Sequence, residues 1–147
     1  MIKIFITLVL AFATNVVLAQ SWLVSVDEMN NSNNAPPKFE AKLASAKDAP
    51  VIELFTPKLS EPVSSPTVID LKFQTTAPST VKPDTFRVLY GSFEIDITKR
   101  ILNVAKVSEQ GVFVQEASLP KGKHKLLMVV EDSAGRKGSR TVDFEVR

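Results

Sequence analysis

The sequence predicts an all-β sandwich preceded by an export signal and an extended N-terminal arm. Three observations predict the sandwich. From Pro50 onward apolar residues recur with period two in short runs, and no stretch sustains a helical period. Gly, Pro, Asp and Ser break these runs at the spacing of antiparallel strands. The roughly 97 residues from Val51 to Arg147 suffice for one core, since even ~60-residue domains fold alone.

The strands follow in order. Val51–Phe55 is the first and ends near Pro57 and Pro62. In Val68–Thr75, Ile69, Leu71 and Phe73 share one face, and Asp70, Lys72 and Gln74 share the other. Pro78 and Pro83 mark a loop. Phe86, Val88 and Tyr90 then alternate with Arg87 and Leu89, and Gly91–Ser92 turns the chain into Phe93, Ile95 and Ile97. Thr98 is placed to cap a helical turn through Lys99–Leu102. Gly111 opens Val112–Leu119, and Lys123–Glu131 and Arg140–Val146 complete about seven strands. Between the last two lies DSAGR. There the Asp132 side chain can bond its own downstream backbone, and Gly135 can take a positive φ without a Cβ clash. The expected core is Ile52, Leu54, Ile69, Leu71, Phe73, Phe86, Val88, Ile95, Leu126, Met128, Val130, Val142, Phe144 and Val146.

The first residues, MIKIFITLVLAFATNVVLAQ, carry Lys3, a long apolar run, and Val17 and Ala19 at the −3 and −1 positions of a small-residue cleavage site. This is the pattern of a secretory signal peptide over 1–19. The apolar run is short beside the about 20 residues of a membrane span and is broken by Thr14 and Asn15, so no span is expected after cleavage. Residues 20–49 read as an arm or linker and 50–147 as the domain. NNSNN and Pro36–Pro37 favour turns and extended chain, with a short helix open over Lys38–Ala46. At the start of the arm Trp22, Val24 and Val26 alternate with Leu23 and Ser25, as in a strand. Such a strand is expected to fold back onto the sheet, because an unpaired apolar strand is an aggregation hazard. Docking on another protein by strand addition is the alternative.

Three stretches resemble bacterial immunoglobulin-like domains of exported and surface proteins: DTFRVLYGSFEIDIT, LPKGKHKLLMVVEDSAG and the terminal TVDFEV, with SPTVIDLKF fitting the second strand. The resemblance implies an immunoglobulin-like β-sandwich. It also implies a structural role for His124, which follows Leu119 and Gly122 where many sandwiches place the tyrosine of the tyrosine corner. An imidazole there can bond backbone at the sheet edge as that tyrosine does.

The residues offer little chemistry. With no cysteine, disulfides, thiolate metal sites, cysteine catalysis and lipid attachment at a cysteine are excluded. His124 is the sole histidine; as a general base it needs a partner and as a metal ligand it needs companions. Asp70, Asp96 and Asp132 are candidate calcium ligands, but each has a local turn or capping role to fill. There is no G-x-S-x-G elbow and no phosphate loop among only five glycines. The expectation is no catalytic residue, no cofactor and no metal. The net charge of +2, about +1 without Lys3, argues against a nucleic-acid partner, and KGKHK and RKGSR read as solvated turns.

If His124, Leu126, Met128 and Val130 point inward, Leu127 and Val129 point outward. With Trp22 and Val24 they are the candidate contacts for a partner. The function expected is that of a non-catalytic interaction or scaffold protein with a protein partner in the cell envelope, periplasmic or alternatively secreted. A glycan-binding module is the second reading and would use exposed aromatics, with Tyr90 and Phe113 as candidates. A metal-carrying protein is the third, with one His and three Met to support it.

Overall fold

Period-two alternation from Val51 onward resolves into eight strands. In the computed structural model, which describes residues 22–36 and 46–147, they are β1 (Val51–Thr56), β2 (Thr67–Gln74), β3 (Val81–Tyr90), β4 (Ile95–Asp96), β5 (Ala105–Ser108), β6 (Gly111–Ala117), β7 (Gly122–Asp132) and β8 (Lys137–Val146). Two helices join them, α1 (Val26–Asn34) and α2 (Thr98–Leu102). The export signal at 1–19 lies outside the described residues, as does the candidate helix from Lys38 up to Ala46. Among the described residues no helix is long and apolar enough to cross a membrane.

The strands form two four-stranded sheets, β1-β2-β6-β5 (sheet A) and β4-β3-β7-β8 (sheet B), in which every neighbouring pair is antiparallel. Register aligns the apolar parity of neighbouring strands. In sheet A, Leu54 pairs with Leu71, Leu71 with Val112, and Val112 with Val107. In sheet B, Ile95 pairs with Tyr90, Tyr90 with Leu126, and Leu126 with Val142. Such cross-strand rows stack into one core between the sheets, where Phe73 and Phe86 meet at 5.7 Å between ring centroids. Every residue of the expected core is buried or packs partly buried against it.

Several elements differ from expectation. β3 begins at Val81 and runs through Pro83, where a loop was expected. Proline is tolerated there because the ladder to β7 shifts register between Lys82 and Arg87. Thr85 Oγ1 fills the gap, donating to Lys82 O at 2.7 Å and accepting from Glu131 N at 2.9 Å. β5 lies in a stretch that carries only two apolar residues, Ala105 and Val107, and was not expected. Phe93 is in the β3–β4 turn, not in a strand. Thr98 does not cap α2: its Oγ1 accepts from Val88 N, and Asp96 Oδ1 instead accepts from Thr98 N, both at 2.9 Å.

The arm departs most. Residues 26–34 form a helix, not a strand and turns. Ser25 Oγ accepts from Glu28 N and Glu28 Oε2 accepts from Ser25 N, a reciprocal capping box that holds two of the unpaired N–H groups of the first turn. The asparagine-rich helix is too short and too weak in propensity to stand alone. It is held by packing, with Leu23, Val24 and Met29 inside the core.

Phe86 is fully enclosed and in ring contact with Phe73, so Phe86→Ala should cost about 3–5 kcal/mol. Phe144 is only partly buried, and Phe144→Ala should cost less. Urea unfolding of both variants checks the order. The reverse order would refute the burial assignment.

Candidate functional site

The end of the sandwich under α1 brings together two of the residues singled out in the sequence, Tyr90 and His124. β7 carries His124 inward and β3 carries Tyr90 inward, the parity that places Met128 and Val88 in the core. Tyr90 Oη lies 2.8 Å from His124 Nδ1, and His124 Nε2 lies 2.7 Å from Pro120 O. A carbonyl can only accept, so Nε2 carries the proton and Nδ1 accepts from the tyrosine hydroxyl. The imidazole also stacks on Phe144 at 5.3 Å. Both ring nitrogens are therefore engaged inside the protein, one by the Tyr90 hydroxyl and one by a backbone carbonyl. Tyr90, expected on the surface, is 1% exposed. Its hydroxyl has an interior partner, which is the condition on which a tyrosine can be buried.

Burial holds the imidazole below its ordinary pKa of 6.5, against the opposing effect of the bond to Pro120. Burial also pushes the Tyr90 hydroxyl up to about 12, with the nearby Glu28 charge adding to the shift. A neutral tyrosine and a neutral histidine, both with satisfied polar atoms, are poor nucleophiles and poor bases.

α1 closes over this pair through fitted contacts. A Cβ on Gly91 would collide with Ser32 Oγ, and one on Gly122 would lie 2.7 Å from Met29 Sδ. Ser92 N donates to Ser32 Oγ at 2.9 Å, and Ser92 Oγ donates to Ser32 O at 3.0 Å. Asn33 Nδ2 donates to Lys123 O, and Arg100 grips Glu28 with two bonds of 2.8 Å. The same guanidinium reaches Leu23 O at 3.2 Å. The hydrogen-bonded Arg100 holds the Glu28 carboxyl down to about 2, against the cost of burial.

Asp132 is wholly enclosed at the start of the β7–β8 turn. Burial would raise its carboxyl, but bonds from Arg136 N, Ala134 N and the Arg136 guanidinium hold it below the usual range. Gly135 sits in this turn at φ 79°. The carboxylate oxygens of Asp132 thus serve the turn. Asp96 bonds Thr98, and Asp70 Oδ1, shielded from water, meets Lys72 Nζ at 3.1 Å without a directed hydrogen bond. Among the described residues no three His, Asp or Glu side chains cluster in a way that could hold a metal ion.

The four partner candidates are scattered. Val24 lies wholly within the core and presents nothing to a partner, a placement that follows from the fold-back of the arm as a helix. Trp22 is 49% exposed beside it. Leu127 and Val129 lie half-buried on the outer face of sheet B, where Leu127 pairs with Leu89 and Val129 with Arg87. Most of KGKHK lies in β7 and not in a turn, and two of its three lysines face acids across the ladder: Lys123 lies opposite Glu145 and Lys125 opposite Asp143.

Phe113, a candidate exposed aromatic in the sequence, belongs to a larger apolar surface that the sequence reading did not assemble. On the outer face of sheet A, Phe113 is 42% exposed and Phe55 46% exposed, with Val51 and Val68 also exposed. Phe113 pairs across strands with Asp70 on one side and Lys106 on the other, and Glu53 pairs with Lys72. The charges of this face are mixed in sign. The signal was available: Val51 and Phe55 share parity with Glu53, so one strand sends apolar residues to both faces.

No family model and no curated protein matches this chain. Among solved structures, CopC from Methylosinus trichosporium OB3b is similar over 65% of this chain and 92% of its own, at 17% identity and a TM-score of 0.43, too distant to transfer a function.

The unfolded chain takes up a proton near pH 6.5 that folded His124 resists, so the histidine stabilises the fold fully above that pH and loses its contribution as pH falls below it. The urea midpoint should drop between about pH 7.5 and 5.5, and His124→Gln should flatten that slope. A flat wild-type profile would refute the reading. The Glu28 contribution is separate in pH: it is present above 4.5 and lost toward about 2. Arg100→Ala should lower hydrogen-exchange protection of the α1 amides by about tenfold and leave β7 unchanged; equal loss in both would argue against a local latch.

Proposed function

We propose that this chain is a non-catalytic, exported interaction protein, built on a single immunoglobulin-like domain and working in the periplasm. The observation that carries the reading is the outer face of sheet A. Val51, Phe55, Val68 and Phe113 stand exposed on it between side chains of both signs. Scattered exposed apolar residues are ordinary, but two phenylalanines and two valines on one sheet face favour a contact surface. The mixed charges of Glu53, Asp70, Lys72 and Lys106 suit a protein partner better than a polyanion. Support for the absence of catalysis comes from the buried polar side chains: Tyr90, His124, Thr98 and Asp132 each spend their bonding capacity on the fold.

The export reading rests on the cleavage pattern of the first 19 residues, and the partner is accordingly a protein of the cell envelope. Trp22 and the Leu127–Val129 strip remain secondary contacts. The glycan reading cannot use Tyr90, which is buried.

Photo-crosslinking in cells tests the surface. A crosslinker in place of Phe113 should yield a reproducible protein adduct, and one in place of Ala134, exposed in the β7–β8 turn, should not. Phe55→Asp combined with Val68→Asp should cut the adduct yield by about tenfold at unchanged melting temperature, as expected for residues near the centre of an interface. No adduct at position 113 would remove the proposal.

A further inference from the structure

α1, the two residues after it and the β3–β4 turn border a shallow, open groove of about 410 Å³, lined by Glu28, Asn31, Asn34, Ala35, Pro36, Phe93 and Ile95. Three features distinguish it from an incidental surface dip.

Its walls are fixed. The paired bonds between Ser32 and Ser92 clamp helix to turn, and Gly91, at φ 67°, leaves the space that Ser32 enters. A groove held in this way needs little ordering when a ligand binds.

Its rim presents an aromatic ring. Phe93 is 58% exposed, the most exposed large apolar side chain among the described residues. It is displayed by a turn in which the next residue, Glu94, takes a φ of 51°, a left-handed conformation that residues of this type seldom adopt.

On the α1 side it presents polar groups without net charge. Glu28, Asn31 and Asn34 are three residues apart on one face of α1. Arg100 neutralises Glu28. Among the described residues neither the Asn31 nor the Asn34 side-chain amide has a hydrogen-bond partner. Each amide offers two donors and an acceptor side by side.

We propose that this groove binds a neutral saccharide ring, stacked on Phe93 and hydrogen-bonded through Asn31 and Asn34. The C–H face of a pyranose is apolar and covers an aromatic ring, while its adjacent hydroxyls need a donor and an acceptor at close spacing. Neutralised Glu28 favours an uncharged sugar over a cation, and among the described residues no lysine or arginine lines the groove to select an anionic one. The site is separate from the outer face of sheet A and goes beyond the protein-partner reading.

The test is an NMR titration of the isotope-labelled protein, purified after export, with chitohexaose, cellohexaose and maltohexaose, and with a proline-rich peptide as the competing chemistry. At least one hexasaccharide should give saturable shifts, largest at the Asn31 and Asn34 side-chain amides and at Phe93. Phe93→Ala and the double variant Asn31→Ala/Asn34→Ala should each weaken binding by at least about tenfold at unchanged melting temperature. The proposal is overturned if no hexasaccharide gives saturable shifts, if the shifts persist undiminished in Phe93→Ala, or if only the peptide binds. None of these results bears on crosslinking at Phe113, so the two surfaces stand or fall apart.

Discussion

The buried hydroxyl of Tyr90 is the constraint around which one end of this sandwich is built. A tyrosine enclosed in a core needs a polar partner, because an unmet hydroxyl there is costly. His124 supplies it, and the demand then propagates. Accepting from Tyr90 leaves the imidazole with its proton on Nε2, and that proton needs an acceptor, which Pro120 O provides. The short connection between β6 and β7 is thereby tied to β3 in the middle of sheet B. Both imidazole nitrogens are taken up by this chain of bonds.

Closure of that end is a matter of fit rather than of helix strength. α1 is a weak helix with one capping box and few apolar residues. It holds because the body has spaces where Gly91 and Gly122 lack a Cβ, into which Ser32 and Met29 settle, and because Glu28 serves both its own cap and Arg100. α1 is consequently held against the sandwich by contacts along its length. The surfaces proposed for recognition, the apolar face of sheet A and the groove beside α1, lie outside this closure.

Parity was the part of the fold most legible in the sequence. Each of Ile69, Leu71, Phe73, Val88, Met128 and Val142 takes the face that alternation assigns, since a one-residue slip would turn a whole strand inside out. Alternation failed where its premise failed. Trp22–Val26 alternates, yet the Ser25–Glu28 capping box outweighs it, and that box was the overlooked signal. Pro83 reads as a break, yet a shift of register absorbs it. β5 has too few apolar residues to register. Tyr90 was offered as an exposed aromatic, but its hydroxyl finds an interior partner in His124, 34 residues away in sequence.

By itself the sequence determined the class of fold, the inward faces of the strands and the exclusion of cysteine chemistry, because all three depend on residue type and spacing along one chain. The turn at Asp132 and Gly135 belongs with them, since its bonds span only a few residues. Tertiary structure decided the rest: where α1 lies, that Val24 is core, that Tyr90 and His124 satisfy one another, and which apolar residues remain in water. These outcomes depend on contacts between residues such as Glu28 and Arg100 or Ser32 and Ser92, far apart in sequence, whose geometry no local pattern encodes.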